Sequence, residues 1–175
     1  MPSLKNGFVI LSFILLSCDY INKDSKGTLN TTSVQSIVFP DSLISQQSLL
    51  DSAISLSQLI KKPLKVVTYL KGDCPVCIYE LKEWSVYIKT RQCLKNAKFL
   101  FIVYSNDAIL LKHQVKEINF DFPIFVMTND SFYKINKLPF ENRYHTFLLD
   151  KSNKVLIAGS PIVMPEVKTA YENIK

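Results

Sequence analysis

The chain has 175 residues, with 21 Lys and Arg against 15 Asp and Glu and a formal net charge of +6. The basic residues are scattered, with no long run and no aromatic-interleaved patch. This argues against a nucleic-acid footprint and for a solvated surface that leans toward anionic lipid. No internal repeat is visible, and the roughly 155 residues left after an N-terminal leader suit one domain with a real core.

The leader comes first. Lys5 forms a short basic segment, and Phe8 to Leu16 is an apolar run broken only by Ser12. That run is too short to span a bilayer and has the length of a signal-peptide core. It ends in Leu15-Leu16-Ser17-Cys18, which resembles the lipobox of bacterial lipoproteins, although Leu16 stands where a smaller residue is more usual. The resemblance implies a lipoprotein signal peptide over residues 1–17, cleavage before Cys18, and a diacylglycerol and acyl anchor on Cys18. The alternative is an ordinary secreted protein with Cys18 free. The implied compartment is the bacterial cell envelope, on the inner or the outer membrane, where disulfides are permitted. Removing Lys5 with the leader leaves a charge of +5. Residues 18–36, polar after Cys18, read as a flexible tether of about 60 Å when extended and about 23 Å as a coil. Residues 37–175 form the expected domain.

Within the domain, Ile37-Val38-Phe39-Pro40 reads as a short edge strand, and Gln47 to Ile60 as a helix ended by Pro63. Val66 to Leu70 is a buried strand, followed by a helix from Pro75 to about Gln92. Lys98 to Tyr104 is a near-continuous apolar run, as expected of a central parallel strand. Asn106 is placed to cap a helix whose Leu111, Val115 and Ile118 share a face. Pro123 to Met127 is a strand, Asp130 to Asn136 a short helix, and Tyr144 to Leu149 a strand. Asp150-Lys151-Ser152-Asn153 turns into a hairpin partner, Lys154 to Ala158. Pro165 opens a last helix with Val167, Ala170, Tyr171 and Ile174 on one face. Strands alternating with helices, then a hairpin before a final helix, predict an α/β sandwich with a mixed central sheet flanked by helices.

The chemistry-bearing motif is Cys74-Pro75-Val76-Cys77, at the joint between the Val66–Leu70 strand and its helix. Cys77, Leu81, Trp84 and Ile88 follow one apolar helical stripe, so Cys77 faces the core. Cys74 sits at the helix start, where free N–H groups and the helix dipole favour a thiolate, and Pro75 occupies a position that needs no N–H. An exposed, activated thiol ahead of a shielded one suits thiol–disulfide exchange. The pair is also compatible with a zinc half-site or a plain structural disulfide. No second half-site stands at knuckle spacing, since Cys93, His113 and His145 are isolated. Cys93 reads as a buried free thiol, and His113 as a partly exposed, inert residue.

These pieces together resemble the thioredoxin-like superfamily and, within it, the membrane-anchored TlpA/ResA-like thiol–disulfide proteins. The resemblance runs from Val66 to Lys175. It rests on the strand–Cys74-Pro75-Val76-Cys77–helix unit and the strand–helix–strand from Phe99 to Met127. Its last part is the hairpin from Thr146 to Val155 followed by Gly159-Ser160-Pro161. The unit ending in Phe122-Pro123-Ile124-Phe125 resembles an insertion these proteins share with peroxiredoxins. Glu83-Trp84 resembles a group of lipoproteins to which no activity attaches. The resemblance implies an envelope-tethered oxidoreductase with Cys74 as nucleophile, Cys77 as resolving thiol and a redox-active Cys74–Cys77 disulfide. No bound cofactor is expected. The implied partners are protein thiols or disulfides in the envelope, the membrane through the lipid, and a membrane reductase as electron donor.

Two positions depart from the family. Asp73 replaces the usual aromatic residue, and its carboxylate is expected to oppose a Cys74 thiolate. His145 stands before Thr146 where the family has a cis-proline that aligns substrate. Without proline a cis bond costs about 3 kcal/mol, so a trans bond or a different loop is expected. Asp73, Pro75, His145 and Thr146 are thus the substrate-binding or tuning positions. His145 has three readings: an ordinary hydrogen-bonded histidine, a tuner of Cys74, or the third ligand with Cys74 and Cys77 of a copper or zinc site. The last resembles the Sco-type copper proteins, whose cysteines are one residue further apart, and would make the chain a metal-handling or client-binding module with little turnover. A peroxidase is disfavoured, because no Pro-x-x-x-Thr-x-x-Cys pattern leads into Cys74.

Overall fold

The run Lys65-Val66-Val67-Thr68-Tyr69-Leu70-Lys71 forms β1 (Lys65–Lys71), buried at every residue but the last. A strand buried on both faces requires neighbours on both edges and layers above and below. The computed structural model, which describes residues 33–91 and 94–174, supplies both. β2 (Lys98–Tyr104) lies parallel to β1, with Val67 opposite Leu100, and β3 (Ile124–Met127) lies parallel to β2. β4 (Thr146–Leu149) runs antiparallel along the other edge of β1, and β5 (Val155–Ala158) antiparallel to β4. The sheet order is β3-β2-β1-β4-β5. The strand period of two then separates two cores. One holds Val66, Leu70, Phe101, Val103 and Leu148, and the other Val67, Tyr69, Leu100, Ile102 and Phe147.

Among the described residues, six α-helices serve these faces: α1 (Asp41–Ile44), α2 (Leu56–Leu59), α3 (Pro75–Thr90), α4 (Ala108–Glu117), α5 (Ser131–Ile135) and α6 (Pro165–Glu172). α3, α4 and α6 bring Cys77, Leu81, Trp84, Leu111, Val115, Val167 and Tyr171 to the first core. α1, α2 and α5 bring Leu43, Leu56 and Phe132 to the second. Trp84 anchors α3, meeting Tyr87 and Phe101 edge-on at 5.7 Å each. No helix among the described residues is long and apolar enough to cross a membrane.

Several expectations are corrected. Residues 37–40 do not form a strand. The Val38 backbone is held by the Asn136 side chain, which donates to its carbonyl at 2.9 Å and accepts from its N–H at 2.7 Å, so no neighbouring strand can claim it. The fold also begins before residue 37: Val34 is buried, Ser36 bridges Lys154, and the Gln35 carbonyl accepts from Val155. The expected helix over 47–60 shrinks to α2. Gln47 bridges Ser55, the Ser48 hydroxyl accepts the Ile124 N–H at 3.2 Å, and Asp51 turns the chain by accepting from Ala53. Serine and aspartate side chains here outcompete the helix for backbone partners. α4 is capped by Asp107, which accepts from Ile109 and Leu110, and not by Asn106. Tyr144 lies in a 3₁₀ turn over Asn142–Tyr144, so β4 starts two residues later than expected. The leader, Cys18, most of the tether and Cys93 lie outside the described residues.

Candidate functional site

β1 ends at Lys71, and three residues carry the chain into α3. Gly72 makes this joint possible: its N–H donates to the Tyr104 carbonyl at 2.7 Å, and a Cβ there would stand 2.7 Å from Val103 Cγ1. Only glycine allows so close an approach. Cys74 is then the extended N-cap residue and Pro75 the first helical residue. Cys74 is half-buried and Cys77 is 6% exposed, and both are free thiols.

Their environments pull the two thiols apart. The amides of Cys77 and Val76 at the mouth of α3 favour a negative Cys74 sulfur, the Cys77 thiol donates to it, and the Lys71 ammonium adds to the effect, so the Cys74 pKa is lowered. The cap is electrostatic more than geometric, since no side-chain cap bond closes and the Cys77 N–H is directed at the Cys74 carbonyl at 3.0 Å. Burial pushes the Cys77 thiol up to about 11, against a partial offset from the Lys71 backbone N–H. The order expected from helical periodicity, an outer activated sulfur and an inner shielded one, therefore has a physical basis.

Asp73 does not stand against Cys74 as expected. Its carboxylate accepts from Ser105 Oγ at 2.9 Å and Asn106 Nδ2 at 3.3 Å, which turns it toward the loop between β2 and α4. A cleft of about 310 Å³ lies between that loop and Cys74, lined also by Gly72, Pro75, Leu110 and Gln114. Val76, Tyr79, Ile109 and Leu110 are exposed apolar residues on the first turns of α3 and α4. Thr146 is buried, and its hydroxyl is used inside the sheet, 3.1 Å from that of Thr68, and not on a surface where a client could meet it.

His145 resolves to the plainest of its three readings. It is 3% exposed, its Nε2 donates to the Pro139 carbonyl at 2.6 Å, and its ring lies edge-on against Tyr69 and Tyr133, each at 5.7 Å. Burial lowers its pKa, so the neutral ring with the proton on Nε2 is the stable form at neutral pH. Tyr69 belongs to the core on the opposite face of the sheet from Cys77. The three-ligand site of Cys74, Cys77 and His145 is therefore not formed. No group of three or more His, Cys, Asp or Glu among the described residues is arranged to hold a metal. No cis peptide bond occurs among the described residues, in keeping with the loss of proline at this position. His113 is exposed and paired with Glu117 at 3.4 Å.

Two further residues belong to the site, although no motif marks them in the sequence. Lys71 supplies charge to Cys74 and an amide to Cys77. Glu80, one turn beyond Cys77 on α3, is half-buried, and desolvation raises its pKa, with a partial offset from the Trp84 indole N–H, which faces it without completing a hydrogen bond. Its charge is also felt at Cys77. A carboxylate three residues after a core-facing cysteine was the available signal.

No protein-family model and no curated protein matches the chain. Solved structures do. A candidate thiol-disulfide oxidoreductase from Bacteroides vulgatus aligns with a TM-score of 0.58 at 17% identity, covering 80% of this chain and 91% of that one. A secreted Mycobacterium tuberculosis disulfide oxidoreductase homologous to E. coli DsbE aligns with a TM-score of 0.53 at 12% identity, over 77% and 98%. DsbF, also from M. tuberculosis, aligns at 0.54 and 14%, over 77% and 97%. At these identities the likeness is one of fold, and the mixed five-stranded sheet with its flanking helices identifies the chain as a protein of the thioredoxin-like fold.

Proposed function

We propose that the chain is an envelope thiol–disulfide oxidoreductase of the TlpA/ResA-like kind, tethered through a lipidated Cys18, with Cys74 as nucleophile and Cys77 as resolving thiol. The observation that carries this reading is the asymmetry of the pair: a half-buried Cys74 sulfur favoured as thiolate at a helix mouth, beside a buried Cys77 pushed up to about 11 that donates to it. A solved disulfide oxidoreductase of the same fold supports it.

In the forward step the Cys74 thiolate attacks one sulfur of a client disulfide. The client S–S bond breaks, a Cys74–client disulfide forms, and the departing client sulfur takes up a proton. Cys77 then loses its proton and attacks the Cys74 sulfur, forming the Cys74–Cys77 disulfide and releasing the second client thiol. Two electrons pass to the client, and a dithiol donor such as a membrane reductase returns them. Glu80, whose charge is felt at Cys77, is the candidate acceptor of the Cys77 proton, because its raised pKa brings it closer to that of a thiol than an ordinary carboxylate.

The test is insulin reduction by the full chain with dithiothreitol as donor. The unaltered chain should be active and Cys74→Ser inactive. Cys77→Ser should accumulate a client disulfide on Cys74. Full activity in Cys74→Ser would overturn the assignment. The chain, but not its Cys18→Ala variant, should sediment with membranes.

A further inference from the structure

A second cavity, of about 450 Å³, opens at the same end of the sheet as the thiols but on the opposite face. Its walls are Tyr69 of β1, Tyr104 of β2, Tyr133 of α5 and Phe140 of the loop before β4, with Lys71 and Asn129 beside them. Among the described residues, the one carboxylate lining it, Asp130, is engaged by Lys134 at 3.0 Å.

Phe140 is 93% exposed, which leaves a large apolar side chain in water. Its position is set by the residue before it: the Pro139 carbonyl accepts from His145 Nε2 at 2.6 Å and from the Tyr133 hydroxyl at 3.4 Å. The His145 ring in turn backs Tyr69 and Tyr133. The histidine that replaces the family's proline thus pins the loop that presents Phe140 beside the tyrosines.

Lys71 joins the cavity to the thiols. It lines the cavity, its amide reaches Cys77, and its ammonium acts on Cys74. Lys71 is three residues from Cys74 in the chain, so the cavity lies within reach of a polypeptide joined through a disulfide to Cys74.

We propose that Tyr69, Tyr104, Tyr133 and Phe140 form a subsite for an aromatic side chain of the client, located a few residues from the attacked cysteine. The volume falls in the range of small-ligand pockets. Ring walls favour a ring guest through edge-to-face and offset contacts, Lys71 can lie over its face, and the phenol hydroxyls and Asn129 can meet a polar tip. An aliphatic guest would forgo the ring-to-ring and cation contacts. This subsite rests on the oxidoreductase reading and narrows its substrate class to aromatic-flanked disulfides.

The experiment compares second-order exchange rates of the reduced full chain with three disulfides. Two are cystine-linked peptides identical except for tryptophan or serine two residues from each cysteine, and the third is hydroxyethyl disulfide. The tryptophan peptide should react about tenfold faster than the serine peptide. Phe140→Ser should bring that ratio close to one, while Leu156→Ser, on the exposed side of β5, should keep it. Exchange with hydroxyethyl disulfide but no tryptophan preference overturns the subsite and leaves the oxidoreductase reading standing. A preference unchanged in Phe140→Ser also overturns the subsite. No exchange with any of the three overturns both.

Discussion

At the scale of single residues, the two cysteines differ because one lies at a helix mouth and the other one turn inside it. The neighbouring carboxylates are sorted the same way. Asp73 is drawn off by Ser105 and Asn106, whereas Glu80 is left half-buried near Cys77. Glu80→Gln separates catalysis from stability. A carboxyl whose pKa is raised on folding contributes stability that is full below the ordinary glutamate value of about 4.3 and is lost as pH rises through the folded value. Glutamine removes that loss. The variant should therefore have a higher urea midpoint than the parent at pH 8 and nearly the same one at pH 4. Its insulin turnover should fall by about tenfold or more, since the Cys77 proton loses its acceptor. An unchanged turnover would remove Glu80 from the exchange.

At the scale of elements, α3 must hold Cys77 at a fixed depth while leaving Cys74 accessible. Its apolar stripe does this, and Trp84, fully buried and packed on Tyr87, Phe99 and Phe101, is its deepest fixture. Trp84→Ala should cost about 3–5 kcal/mol, read from the denaturation midpoint, because the surrounding rings cannot close the space. A loss under about 1 kcal/mol would mean that α3 is held by its other contacts. The other end of the site is set by α4: Asp107 satisfies its first amides, and this leaves Asn106 free to hold Asp73.

At the scale of the whole molecule, the sheet separates two faces, and Lys71 at the C-terminal end of β1 bears on both. One face carries the thiols, and the other carries His145 and the tyrosines. His145 links the second face to pH. Burial lowers its folded pKa, so the unfolded chain binds the proton more readily, and stability is full above the ordinary histidine value near 6.5 and falls as pH drops below it. Denaturation midpoints should decline between pH 7 and pH 5, and the decline should be shallower in His145→Asn. An identical slope in the two proteins would show that acidic carboxylates, and not this imidazole, govern that range.

Helical and strand periods made most of this fold legible in the sequence. The continuous apolar runs of β1 and β2 and the apolar stripes of α3 and α6 were legible because burial there follows backbone geometry, whereas the split of each strand between the two cores came only with the structure. The strand–Cys74-Pro75-Val76-Cys77–helix joint was legible for the same reason, and the asymmetry of its thiols followed from helix electrostatics. Short polar segments were not legible. Ser48, Asp51 and Asn136 bind backbone from elsewhere in the chain or across a turn, and no local pattern reveals which partner they choose. The direction of a side chain at a loop was equally hidden. Asp73 and His145 are each one residue from a site position, yet hydrogen bonds from Ser105 and to Pro139 turn them away from Cys74. Composition and spacing determined the class of fold and the position of the thiol pair. Tertiary structure decided which charges reach the thiols, and it placed Tyr69, Tyr104, Tyr133 and Phe140 around one cavity, because those contacts join residues far apart in the chain.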